Sequence, residues 1–213
     1  MLIESQIADC GGDMRETQLW LPTYAALCTL LLAFFVVLYS LAEHPRKDHS
    51  QALLRKQVLE IQARVFSDIR AFIAQNGMEA GMDAVLEDVS ITLRVSEGTL
   101  FAPGTEHFLP AGLKTLNQLK DLFVVQRQQT IHIRSYTDDA PMPSGARFRN
   151  DWELSALRAA HILRHLLAQG IEPGRLSATG FGMLEPLFPN TTEENRAKNR
   201  RVEFVLELRL GKE

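Results

Sequence analysis

His161 and His165, in RAAHILRHLLAQ, lie one helical turn apart, a spacing at which two imidazoles can chelate one metal ion. No third ligand falls nearby and no glutamate follows His161, so the H-E-x-x-H pattern is absent and a solvated helix face is the better reading. Gly180, Phe181 and Gly182 lack the rest of a phosphate-binding loop, and no nucleophile is placed with a base. The expectation is a protein without catalytic activity, metal or cofactor. The densest cluster of unusual residues is YTDDAPMPSGARFRNDWELSALRAAHILRHLLAQGIEPGRLSATGFG, followed by NRAKNRRVEF. It places Asp138 after a strand-like run and Arg158 on a helix; on residue types alone, this pair reads as a surface salt bridge.

The elements that position these residues follow from periodicity. VSITLRV, from Val89, alternates as a strand, and Glu97 and Gly98 make a turn into TLFAPG. PAGLKTLNQLKDLFVV is a helix opened by Pro110, and TIHIRSY is a second alternating strand. After a polar loop with Pro141, Pro143 and Gly145, a long helix runs from about Asp151 to Gln169 and ends at Gly170. RLSATGFG gives a short strand, Thr191 to Glu194 has capping-box spacing, and RVEFVLELRL closes the chain as a strand. The expected class is α+β, a mixed sheet covered by helices.

Ahead of that domain, residues from Leu19 to Leu41 form a run of 23 without charge, extending roughly 35 Å as a helix, enough for a hydrocarbon core of about 30 Å. A cleaved signal peptide fits poorly, because the preceding residues are acidic and no A-x-A site follows. Leu27 before Cys28 argues against a lipid-attachment site. Next, Leu54, Val58, Ile61, Val65, Ile69 and Phe72 make one apolar stripe on a helix, either packed on its own domain or forming a seam with a second copy. Four divisions are expected: a tail over 1–18, a transmembrane helix over 19–41, a juxtamembrane plug or dimerising helix over 42–80, and the folded domain over 81–213. The net charge of −3 provides no basic field for nucleic acid. The two cysteines, Cys10 and Cys28, lie outside the folded domain, so it has no internal disulfide. Arg46 and Lys47 after the span, against an acidic tail, would by charge alone put the C-terminal part in the cytoplasm.

The C-terminal part resembles the OmpA-like peptidoglycan-binding domain. The family pattern is matched by Thr137 and Asp138, by Leu154, Ser155, Arg158 and Ala159, by Gly170, Ile171, Arg175 and Leu176, by Gly180 and Gly182, and by Asn199 through Glu203. The resemblance implies a site for the diamino acid of a peptidoglycan stem peptide. Asp138 and Arg158 would meet its ammonium and carboxylate, Arg158 through a bidentate fork, with Leu154, Arg196 and Asn199 in support. Asp151 stands where the family has asparagine, next to Asn150, and a second acid there would weaken carboxylate binding.

The apolar helix resembles the single span of stator B subunits, such as flagellar MotB and PomB and the related subunit of Zorya anti-phage systems. Trp20, Thr23, Tyr24, Ala25, Leu27, Thr29, Leu30, Leu31, Phe34, Phe35, Val36 and Leu38 match, and Ala26 stands where the family carries its ion-binding aspartate. This implies a wall-anchored B subunit, two copies within a ring of five multi-span A-type subunits, that does not conduct ions because alanine cannot ionise. The alanine is either an engineered replacement or a natural loss. The implied location is the inner membrane, with the N-terminus cytoplasmic and the domain periplasmic, opposite to the charge reading. The short connection between span and domain favours defence over flagellar drive. A passive tether between membrane and peptidoglycan is the alternative.

Overall fold

The computed structural model describes residues 20–43, 46–141 and 147–209; the tail over 1–18 with Cys10, Leu19, and the loop positions Pro143 and Gly145 lie outside them. Two compact units divide between Arg55 and Lys56.

The first unit contains helix α1, Trp20–Glu43. Its Trp20–Ser40 portion spans 21 residues, about 32 Å at 1.5 Å per residue, and none of it is buried. Its threonines turn inward on their own backbone: Thr23 Oγ1 donates to the Trp20 carbonyl at 2.7 Å and Thr29 Oγ1 to the Ala26 carbonyl at 2.9 Å. This is how a hydroxyl is satisfied where no water is available.

Helix α2 is Arg46–Gln75. Within the second unit, its later part belongs to the core: Val65, Ile69 and Ile73 are buried in the main apolar cluster. Gln62, fully buried, donates to the Val89 carbonyl at 2.7 Å. The packed core therefore begins before Gly81. The apolar stripe is divided, with Val65 and Ile69 committed to their own domain while Ile61 remains 38% exposed.

The sheet has five strands in the order β1-β2-β5-β3-β4: β1 Met82–Glu87, β2 Ser90–Ser96, β3 Gln129–Tyr136, β4 Leu176–Gly182 and β5 Arg201–Leu208. β3 and β4 are parallel and every other pairing is antiparallel. The helices are α3 Glu97–Leu100, α4 Pro110–Val125, α5 Asp151–Ala168 and α6 Glu193–Asn199. Alternation sets one core face, to which β2 gives Ile91, Leu93 and Val95, β3 gives Ile131 and Ile133, and β5 gives Val202, Phe204 and Leu206. α4 brings Leu116, Leu119 and Phe123 to it, and α5 brings Ala159, Ile162 and Leu166. The mixed sheet with helices agrees with the expected class.

Three details differ from the sequence reading. MDAVLE, unassigned there, is the edge strand β1, hairpin-paired to β2 through Asp88 at φ +50°. Glu97 and Gly98 open the short helix α3 rather than a turn. The last helix is capped by Thr192, whose side chain accepts from the Asn195 N–H at 3.2 Å, one residue later than the capping-box spacing indicated.

Motif residues that could pass for a binding site turn out to build the frame. Arg175 donates to the carbonyls of Phe123, Gln126 and Gln129, placing its charge on the carbonyl end of α4. Gly180 lets α5 approach β4, since a Cβ there would sit 2.3 Å from the Ala156 nitrogen. Gly180→Ala is therefore expected to destabilise the domain by about 1–3 kcal/mol through overpacking. Urea denaturation checks this, and an unchanged midpoint would contradict it.

Candidate functional site

Asp138 lies two residues past β3 and is buried, 6% exposed. Its Oδ2 forms a short ion pair with Arg200 Nη1, and its Oδ1 accepts from the Ala140 N–H at 3.3 Å. Arg200 also donates to Glu193 Oε1 at 2.7 Å, and Arg196 donates to Glu193 Oε2 at 3.0 Å. An alternating acid and base ladder thus runs from the end of β3 to α6.

Arg158 on α5 is 1% exposed. Its Nη2 donates to Glu97 Oε1 at 2.6 Å, its Nε donates to the Thr105 carbonyl at 2.8 Å, and the guanidinium lies 5.3 Å from the Phe101 ring centroid. Burial pulls its pKa down and Glu97 raises it in opposition. The direct Asp138–Arg158 surface salt bridge does not form, because each charge has a nearer partner from another segment: Arg200 for the aspartate, Glu97 for the arginine. The two ion pairs are nevertheless neighbours. The Glu97 N–H donates to the Arg200 carbonyl at 3.0 Å, joining the start of α3 to the entry of β5.

The supporting residues have structural duties. Leu154 is buried at the α5 base. Asn199, fully buried, bonds the Phe188 N–H at 3.0 Å and the Phe188 carbonyl at 2.8 Å, and Arg196 Nη1 donates to the Asn190 carbonyl at 2.9 Å. Together they pin the 188–190 loop. Glu97 and Arg200 are the residues that sequence reasoning missed. Arg200 lies within the NRRVEF run, where Arg201 beside it stacks 3.8 Å from the Tyr136 ring centroid and donates to Glu203 at 2.7 Å. Burial lifts the Tyr136 phenol to about 12.

Asn150 caps α5, accepting from the Glu153 N–H at 2.9 Å, which leaves Asp151 as the first helical residue. Burial raises the Asp151 pKa, and the charge of Asp138 raises it further. The folded state therefore holds the Asp151 proton to higher pH than the unfolded chain, and stability falls as pH rises from the ordinary aspartate value near ~3.9 through the raised one. Asp151→Asn is expected to remove that slope and to raise the melting temperature at neutral pH. Melting curves of both proteins from acid to neutral pH check this, and parallel curves would contradict it.

Beside the ladder is a cavity of about 290 Å³ whose wall includes Glu97, Gly98, Phe101, Gly104 and Arg200. His161 Nδ1 lies 3.1 Å from the Glu106 carbonyl and His165 Nε2 lies 3.1 Å from Asn117 Oδ1, so each ring contacts a different neighbour. Among the described residues, no His, Cys, Asp or Glu group has a metal-binding arrangement.

Comparison with known proteins assigns both ends of the chain. A model described as membrane MotB of the proton-channel complex MotA/MotB matches residues 7–53, and the OmpA family matches residues 100–200. The crystal structure of a putative MotB-like protein from Desulfovibrio vulgaris is 49% identical, with TM-score 0.71, covering 73% of this chain and 99% of that one. The chain belongs to the MotB-like family. Motility protein B of Helicobacter pylori strain 26695 is 25% identical over 216 residues, 87% of this chain and 84% of that protein. Peptidoglycan-binding protein ArfA of Mycobacterium tuberculosis H37Rv is 35% identical over 98 residues, 46% of this chain and 28% of ArfA. The family's proteins are structural, and this chain is not an enzyme.

Proposed function

We propose that the protein is the wall-anchoring B subunit of an ion-driven stator in a bacterial inner membrane. The observation that carries this is the union, in one chain, of an exposed apolar helix of membrane-crossing length with an OmpA-family domain. The helix crosses once, the N-terminus is cytoplasmic and the domain is periplasmic, because a peptidoglycan site is useful only there. This reading overrides the charges of Arg46 and Lys47. Two such chains sit in a ring of five A-type subunits, held together in part by the apolar residues that α2 leaves exposed.

The wall site is the paired cluster of Asp138 with Arg200 and Arg158 with Glu97, with Leu154, Arg196 and Asn199 holding its frame. Ala26 occupies the ion-carrier position, on a helix face shared with Thr23, Leu30 and Phe34. As it stands, the chain anchors but does not conduct. The relative named Motility protein B supports flagellar drive as the use. Anti-phage defence is the second reading, favoured by the short connection between Glu43 and Met82.

The experiment is co-sedimentation of the full chain, in detergent, with purified peptidoglycan sacculi. The reading expects the chain in the pellet and free in a control without sacculi. A chain that stays in the supernatant in both would overturn it.

A further inference from the structure

The charges around the end of β3 do not balance. Arg158 answers Glu97, Arg200 answers Asp138, and Arg196 and Arg200 together answer Glu193. Asp151 is left over: burial and then the charge of Asp138 hold its pKa up, and no cation acts on it. The fold fixes this juxtaposition through Gly182, which clasps the two segments from either side. Its carbonyl accepts from the Thr137 N–H at 2.8 Å, next to Asp138, and its N–H donates to Ser155 Oγ at 3.0 Å, in the first turns of α5. Ser155 Oγ in turn donates to the Trp152 carbonyl at 3.0 Å, one residue from Asp151.

Asp138 and Glu97 are buried, whereas Asp151 is partly exposed, so it is the carboxylate of this group that solvent reaches. An ionised carboxylate only accepts hydrogen bonds, and a bound group facing Asp151 must bring a donor. A free carboxylate brings acceptors and a second negative charge, which the excess acid repels. A primary amide has nearly the same shape, carries no charge and offers an N–H to the aspartate.

We propose that Asp151 sets the specificity of the wall site: it selects stem peptides whose carboxylate is capped as an amide and discriminates against the free carboxylate. This rests on the wall-binding reading above. The selection has an attractive half, the amide N–H on Asp151, and a repulsive half, the unanswered charge, and both disappear when the aspartate becomes an asparagine.

Co-sedimentation at neutral pH tests this with the full chain in detergent and two forms of one sacculus preparation, untreated and amidated with carbodiimide and ammonia. The parent is expected to bind amidated sacculi roughly 5- to 10-fold more tightly than untreated ones, the effect of one partly buried charge. Asp151→Asn is expected to bring the two affinities together, chiefly by tightening binding to untreated sacculi. The variant sees the same two walls, so it subtracts any effect of the altered sacculus charge itself. A parent that binds untreated sacculi at least as tightly as amidated ones overturns the selectivity and leaves wall binding standing, and this comparison decides whether or not the variant folds. A folded Asp151→Asn protein that keeps the parent's ratio also overturns it, because the preference then lies elsewhere. A parent that pellets with neither preparation overturns the selectivity and the wall-binding reading together.

Discussion

Arg158→Ala is expected to lose sacculus binding and to melt well below the parent protein. Arg158 is 1% exposed, and its removal leaves Glu97 as a buried carboxylate without its 2.6 Å partner. Breaking a buried ion pair from one side costs about 3–5 kcal/mol, because the remaining charge keeps its desolvation penalty. The Thr105 carbonyl also loses its donor and the Phe101 ring its cation. Against a total stability of roughly 5–15 kcal/mol this is a large fraction. For a domain of this size it corresponds to a fall in melting temperature of roughly 10 °C or more. Arg158→Lys keeps the charge without the planar fork and is expected to fall between the two. The measurements are thermal denaturation and sedimentation at a temperature where every variant is folded. An alanine variant that melts with the parent and still pellets with sacculi would show that Arg158 holds neither the fold nor the ligand.

The fold was legible in the sequence wherever periodicity was strong. TIHIRSY alternates cleanly and became β3, and α5 starts at Asp151 and stops just before Gly170 as expected. MDAVLE was not legible because β1 is an edge strand buried only at Met82, so its alternation is blurred. The stripe of α2 could be read equally as a core face or a seam, and only packing shows that Val65, Ile69 and Ile73 belong to the domain. At the site, Asp138 and Arg158 were found by motif, yet their partners were not. Glu97 precedes Arg158 by 61 residues and Arg200 follows Asp138 by 62, and no helix or strand period spans such distances. The two glycines of GFG were set aside as a phosphate loop on sequence grounds. Their role is steric: Gly180 admits α5, and Gly182 takes φ +57° beneath the Trp152 ring.

Ala26→Asp is expected to turn a silent anchor into an ion-conducting subunit. α1 carries no acid from Trp20 to Ser40, and Ala26 faces outward beside Thr23 and Leu30, where a partner helix can reach it. Translocon scales assign about 2.5–3.5 kcal/mol to an aspartate at the centre of a span. A stator ring offsets that with a polar pocket, whereas a passive tether offers nothing and the substitution only impairs insertion. The two accounts therefore give opposite signs for one mutation. Ala26→Asn adds a similar side chain that cannot ionise, and it separates carriage of a proton from a change in packing. The deciding measurement is ion influx in cells expressing the chain with the A-type subunit of its own organism, with membrane levels matched by blot. The stator account predicts influx for Ala26→Asp and none for the parent or Ala26→Asn; a well-inserted Ala26→Asp protein with influx no higher than the parent would contradict it.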